Sequence, residues 1–171
     1  MSYLLKNGKN AAGQSVDVAL DGAVIVDPAS ISPEVIIDLN GAYVLPGFVD
    51  LHTHLREPGK ENSETVLTGS RAAARGGFTA VSAMANTSPV ADTAGVVEQV
   101  FRLGQEAGLT DVFPIGAVTQ GLAGASLAEI GAMADSAARV RIFSDDGNCV
   151  SDPMIMRRAL EYVKKFDGVI A

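Results

Sequence analysis

The chain has 171 residues, 47% apolar, with a formal charge of −7, one cysteine and no tryptophan. It is long enough for one core, which Ala, Val, Ile and Leu must fill, as in α/β proteins with buried parallel strands. An acidic chain without a basic stripe offers no footprint for nucleic acid or an anionic membrane, and no window approaches the roughly 20 apolar residues of a membrane span. The start, Met1-Ser2-Tyr3-Leu4-Leu5-Lys6, lacks the layout of a signal peptide, and Cys149 has no intrachain disulfide partner, so a cytoplasmic, reducing setting is expected.

In chain order, Tyr3–Leu5, Val16–Leu20 and Ala23–Val26 are short apolar runs, followed by Asn7-Gly8, Asp21-Gly22 and Asp27-Pro28. They read as strands joined by tight turns, with one more strand at Val35–Leu39 before Asn40-Gly41. Residues 1–45 are therefore expected to form a small, sandwich-like β domain that is incomplete by itself, being too small to bury much.

From Pro46 the rhythm becomes strand, loop and helix, repeated. Phe48–Leu51 leads to a helix near Ser63 to Arg75, and Thr79–Met84 to a helix near Thr93 to Ala107. Val112–Val118 leads to a helix near Leu127 to Ala134, and Val140–Phe143 to a helix near Pro153 to Phe166. Glycines after the helices and Ser, Thr or Asp before them are stop and start signals. Four β-α units in a row predict a parallel sheet with right-handed crossovers, and Gly168–Ala171 looks like the start of a fifth strand.

His52-Thr53-His54, the only histidines of the chain, end the first of these strands. Residues i and i+2 share a face of a strand, so both imidazoles converge on one point, as a divalent metal requires. Doubly wound sheets and (β/α)8 barrels both place ligands at this carboxyl edge, but no Gly-x-Gly-x-x-Gly fingerprint follows, which counts against dinucleotide binding. Asp145-Asp146-Gly147 closes the fourth strand. Neighbouring strand residues face opposite ways, so only one carboxylate should join the histidines, and alternation alone leaves open which.

Pro46-Gly47-Phe48-Val49-Asp50-Leu51-His52-Thr53-His54-Leu55-Arg56-Glu57-Pro58-Gly59 resembles the metal-binding signature of the cyclic amidohydrolases, and within them of the class I dihydroorotases. The resemblance continues through Gly76-Gly77-Phe78-Thr79, Met84-Ala85-Asn86-Thr87 and Phe143-Ser144-Asp145-Asp146-Gly147, in order and at family-like spacing. It spans the whole chain but only about the first two-fifths of a family member. It implies an α/β fold, the first half of a (β/α)8 TIM-like barrel over residues 46–171, preceded by a small β domain built from both chain ends.

By the same resemblance, His52, His54 and Asp146 are metal ligands for one or two zinc ions in a complete site. Arg56 and Asn86 are implied to bind the carboxylate of dihydroorotate, a task suited to a planar guanidinium and an uncharged amide. Arg56 also continues the alternation of the histidines. The bland alternatives are a solvated arginine, a turn-forming Asn86 and an Asp-Gly turn capped by Asp145. The chain has Ala85 where the family usually has proline, which predicts a less rigid loop around Asn86. Cys149 has neither a cysteine partner nor a nearby free histidine and is read as incidental.

The implied chemistry is zinc-assisted, reversible hydrolysis of the cyclic amide of dihydroorotate to N-carbamoyl-L-aspartate, a step of pyrimidine biosynthesis. The aspartate that shuttles the proton and further histidine ligands belong to later strands of the family and are absent here, so the isolated chain is expected to be weak or inert. The expected partners are the small-molecule substrate, the missing C-terminal half of the barrel, and a second copy or an aspartate carbamoyltransferase. The competing readings are a non-catalytic dihydroorotase-like scaffold, or another cyclic amidohydrolase such as a dihydropyrimidinase, hydantoinase or allantoinase. Arg56 speaks against the latter, because those rings lack the carboxylate.

Overall fold

Strands β1 (Ser2–Lys9), β2 (Ser15–Asp21), β3 (Val24–Val26) and β4 (Val35–Asp38) form the first of two units, Met1–Pro46 and Gly47–Ala171, in a computed structural model that describes residues 1–171. Their order is β3-β2-β1-β4, with β1 and β4 parallel and the other pairs antiparallel. The strands make one mixed sheet.

Asn7-Gly8 is not the turn its composition suggests. β1 runs through it with a shift of register between Leu5 and Gly8, and Asn7 takes a φ of 59° while its N–H donates to the Asp17 carboxylate at 2.9 Å. Asparagine tolerates the left-handed conformation of such a bulge. The chain reverses later, where Asn10 Oδ1 accepts the backbone N–H groups of Ala12 and Gln14, each at 3.0 Å. That local side-chain bond is what makes asparagine a turn former.

The second unit alternates strictly: β5 (Phe48–Thr53), α1 (Val66–Arg75), β6 (Phe78–Ala83), α2 (Ala94–Ala107), β7 (Asp111–Pro114), α3 (Ile130–Asp135), β8 (Ile142–Phe143), α4 (Pro153–Val163) and β9 (Val169–Ile170). β5, β6 and β7 pair in parallel, as do β8 and β9, and a parallel bridge between Gly116 and Phe143 joins the two groups. Gly116 N–H donates to the Ile142 carbonyl at 3.1 Å and Ser144 N–H to the Gly116 carbonyl at 2.8 Å.

Several elements are shorter than the sequence suggests, for local reasons. α1 starts at Val66 because Thr65 caps it: the Thr65 hydroxyl accepts Thr68 N–H at 3.1 Å, and Glu57 Oε2 accepts Val66 N–H at 2.8 Å. α3 starts only at Ile130, since Glu129 before it takes a non-helical conformation with φ −77° and ψ 53°. α4 begins at Pro153 behind the Asp152 cap and gives way at Lys164–Phe166 to a 3-10 turn.

Two apolar clusters hold this unit together. Val81, Ala83 and Val112 of the sheet meet Leu55, Val66 and Val100, while Phe143 meets Ile130, Met133, Val97, Val118 and Val140. Phe143 is wholly buried, and burying a side chain of this kind contributes about 1.5–3 kcal/mol. Gly104 lets α2 lie close to β7, since a Cβ there would stand 2.5 Å from Val112 Cβ. β5 departs from the expectation of fully buried strands: Val49 and Leu51 are 58% and 65% exposed, because β5 is paired on one side only. No helix is long and apolar enough to cross a membrane.

Candidate metal centre

The histidine pair is set by how β5 is held against β6. The Thr53 hydroxyl donates to the Ser82 carbonyl at 2.8 Å, and Met84 N–H donates to the Thr53 carbonyl at 2.9 Å. Thr53 is thereby pinned toward its neighbour, and strand alternation sends His52 and His54 together to the other side. Their rings lie 5.2 Å apart at an interplanar angle of 72°, with His52 exposed and His54 half-buried.

Asp146 approaches from the end of β8. His52 Nε2 stands 3.5 Å from Asp146 Oδ1 and His54 Nε2 stands 3.6 Å from Oδ2. All three potential ligand atoms lie within 4.8 Å of one another. Donors bound at about 2.1 Å around a tetrahedral zinc stand about 3.4 Å apart, so the two histidine–Asp146 spacings and the two-imidazole, one-carboxylate set suit a catalytic-type ion with an open position.

The Asp145–Asp146 ambiguity has a geometric answer. Asp145 is 5% exposed and turned away from the histidines. Its Oδ1 accepts Val118 N–H at 2.8 Å and Thr119 N–H at 3.0 Å, and its Oδ2 accepts the Thr119 hydroxyl. Asp145 thus ties the end of β8 to the loop after β7, while a turn closed by Asn148 N–H on the Asp145 carbonyl presents Asp146 to the histidines. Of the pair, Asp146 is the carboxylate that meets them.

Asn86, just after β6, joins the cluster rather than standing apart from it. Its Oδ1 lies 3.1 Å from His54 Nδ1 and its Nδ2 donates to Asp146 Oδ2 at 3.2 Å. The loop that carries it is held despite Ala85: that residue is fully buried and its carbonyl accepts Ala91 N–H at 3.0 Å. Ser88 N–H donates to the Pro58 carbonyl at 2.9 Å, and Gly59, at a φ of 98°, passes so close that a Cβ there would stand 2.0 Å from the Ser88 carbonyl oxygen.

Arg56 is the predicted site residue that the structure does not bring into this network. β5 ends at Thr53 and Arg56 has a φ of 62°, so the alternation stops before it. It is half-buried and its guanidinium makes no ion pair or hydrogen bond with the four clustered residues. Cys149 is an exposed free thiol on the wall of a cavity of about 390 Å³ that His52, Asp146, Met84, Ile115 and Val150 also line. That volume suits a small ligand. A larger hollow of about 670 Å³ lies around Phe78, Thr79 and Asp111 at the opposite ends of the strands and gathers no such ligand set.

Sequence reasoning missed Asp145, Thr119 and Glu57 as supports, and Asn86 as a neighbour of the ligands. An Asp-Asp pair at a strand end is a signal that one member has a second task, but its partner 26 residues earlier is visible only in the fold.

Parallel β/α units carry two histidines and an aspartate to one sheet edge, and in fold the chain is similar to part of the hydantoinases and dihydropyrimidinases. L-Hydantoinase from Arthrobacter aurescens superimposes with a TM-score of 0.76 over 98% of this chain and 39% of its own, at 21% identity. Dihydropyrimidinase from Brevibacillus agri does so with a TM-score of 0.69 over 99% and 39%, also at 21% identity. A profile described as dihydro-orotase-like matches residues 41–171, and the chain belongs to that family. Dihydroorotases of Leifsonia xyli and Streptomyces coelicolor are 64% and 63% identical over 99% and 98% of this chain, and that of Mycobacterium tuberculosis is 57% identical over all of it. The chain spans 40%, 40% and 41% of these three curated relatives.

Proposed function

We propose that this chain supplies three of the metal ligands of a dihydroorotase, which opens dihydroorotate to N-carbamoyl-L-aspartate and closes it again in pyrimidine biosynthesis. The observation that carries the reading is the meeting of His52, His54 and Asp146 at one sheet edge, in a chain of the dihydro-orotase-like family. Zinc is the ion its donor set suits best, and when bound it would supply a Lewis acid and an activated water.

The protein's own groups do the rest. His52 and His54 present Nε2 to the centre, and Asp146 supplies the carboxylate between them. Arg56, whose guanidinium no residue of the cluster engages, receives the substrate carboxylate in a two-pronged bond when the ring enters, and the second N–H of the Asn86 amide assists. The ring sits in the cavity beside His52, walled by Met84 and Ile115. The proton bound for the leaving nitrogen comes from a group outside residues 1–171, as do the strands that complete a (β/α)8 barrel on the open side of β5; the relatives' greater length and the exposed Val49 and Leu51 support this. The free Cys149 suits work in the reducing cytoplasm.

Turnover of dihydroorotate by the complete protein, this chain together with the strands that close the barrel, tests the reading. Activity should vanish on chelation and return with zinc. Hydrolysis of hydantoin or dihydrouracil without turnover of dihydroorotate would assign the chain to a different ring.

A further inference from the structure

Asn86 occupies a position that a substrate contact alone does not require. Its amide closes a ring with two of the three candidate ligands, oxygen toward His54 Nδ1 at 3.1 Å and nitrogen toward Asp146 Oδ2 at 3.2 Å, while His54 Nε2 stands 3.6 Å from that same Oδ2. The donor and acceptor inventory leaves one consistent assignment. An ionised carboxylate only accepts, so the amide atom facing Asp146 must be the NH2, and the oxygen then faces His54. An amide oxygen cannot donate, so His54 Nδ1 must carry a proton, and on the neutral imidazole Nε2 then keeps its lone pair. Nε2 is the nitrogen that faces the cluster.

We propose that Asn86 is a positioning residue of the metal centre, whose side-chain amide holds His54 in the Nδ1–H tautomer and aims the Asp146 carboxylate. The proposal rests on the metal reading above. A histidine that binds metal through one nitrogen is ordinarily fixed by a hydrogen bond at the other, most often to a carboxylate, a backbone carbonyl or water. Here a side-chain amide fills that place and, because it also donates, fixes a second ligand at the same time. The loop is stiff enough for this: Met84, Ala85 and Thr87 around Asn86 are buried, and Ser88 is bonded to the loop that follows the histidines.

Two measurements test it. Zinc affinity, by competition with a chelator of known strength, is compared between the wild type and Asn86→Ala. A loss of about 10- to 100-fold is expected, the usual effect of removing such a partner. A loss smaller than tenfold, with only the KM for dihydroorotate raised, would make Asn86 a substrate contact and overturn the proposal. In the metal-free wild type, the nitrogen shifts of His54, assigned with the help of His54→Gln, should report the Nδ1–H tautomer; the Nε2–H tautomer overturns the proposal even if Asn86→Ala does not fold. A wild type that takes up no zinc at all defeats the metal reading instead, and the tautomer still decides the role of Asn86.

Discussion

Asp145 and Thr119 are bonded twice, the Thr119 N–H to Oδ1 at 3.0 Å and its hydroxyl to Oδ2, inside a region where both residues are buried. This pairing ties the loop after β7 to the end of β8, and it leaves Asp146 as the carboxylate that faces the histidines. Asp145→Ala would strip three donors of their acceptor, the Val118 N–H being the third. Each orphaned buried group costs about 1–3 kcal/mol. We expect a loss of at least about 3 kcal/mol in urea unfolding and weaker zinc binding in whatever fraction folds; unaltered stability would contradict the anchoring role.

In the complete protein, Arg56→Met should separate substrate binding from metal binding. A two-pronged, charge-assisted bond to the substrate carboxylate is worth about 1.5–3 kcal/mol, or about 10- to 150-fold in kcat/KM for dihydroorotate. Zinc content should stay at the wild-type level. Unchanged kcat/KM would refute the clamp, and lost zinc would place Arg56 in the metal centre.

Gly104→Ala tests the close approach of α2 to β7. Alanine favours a helix interior by about 1 kcal/mol over glycine. The new Cβ would stand 2.5 Å from Val112 Cβ, an atom at the stem of a β-branched side chain that cannot swing aside. Overpacking costs about 1–3 kcal/mol and should win, leaving a net loss of up to about 2 kcal/mol in thermal or urea unfolding. A more stable variant would show that the helix can move away from the sheet.

What the sequence disclosed and what it hid follow from the range of the forces involved. The histidine pair was legible because strand alternation is local, and the β/α rhythm because caps and glycine stops lie beside the elements they bound. Gly108, with a φ of 59° at the end of α2, is such a stop. Asn7-Gly8 misled, since the composition that makes a turn also suits a bulge, and the deciding contact is with Asp17 on another strand. Arg56 continued an alternation in the sequence that the backbone breaks at Arg56 itself, where φ is 62°. The separate tasks of Asp145 and Asp146, and the bond of Asn86 to His54, depend on residues 26 to 60 positions apart and emerge only when parallel strands bring their ends together.

If His52, His54 and Asp146 share one metal ion, an anomalous difference map at the zinc edge from zinc-soaked crystals of the purified protein will locate it. A peak is expected about 2.0–2.2 Å from Nε2 of both histidines and from a carboxylate oxygen of Asp146. A peak elsewhere, or no peak between these three side chains, would contradict the shared site.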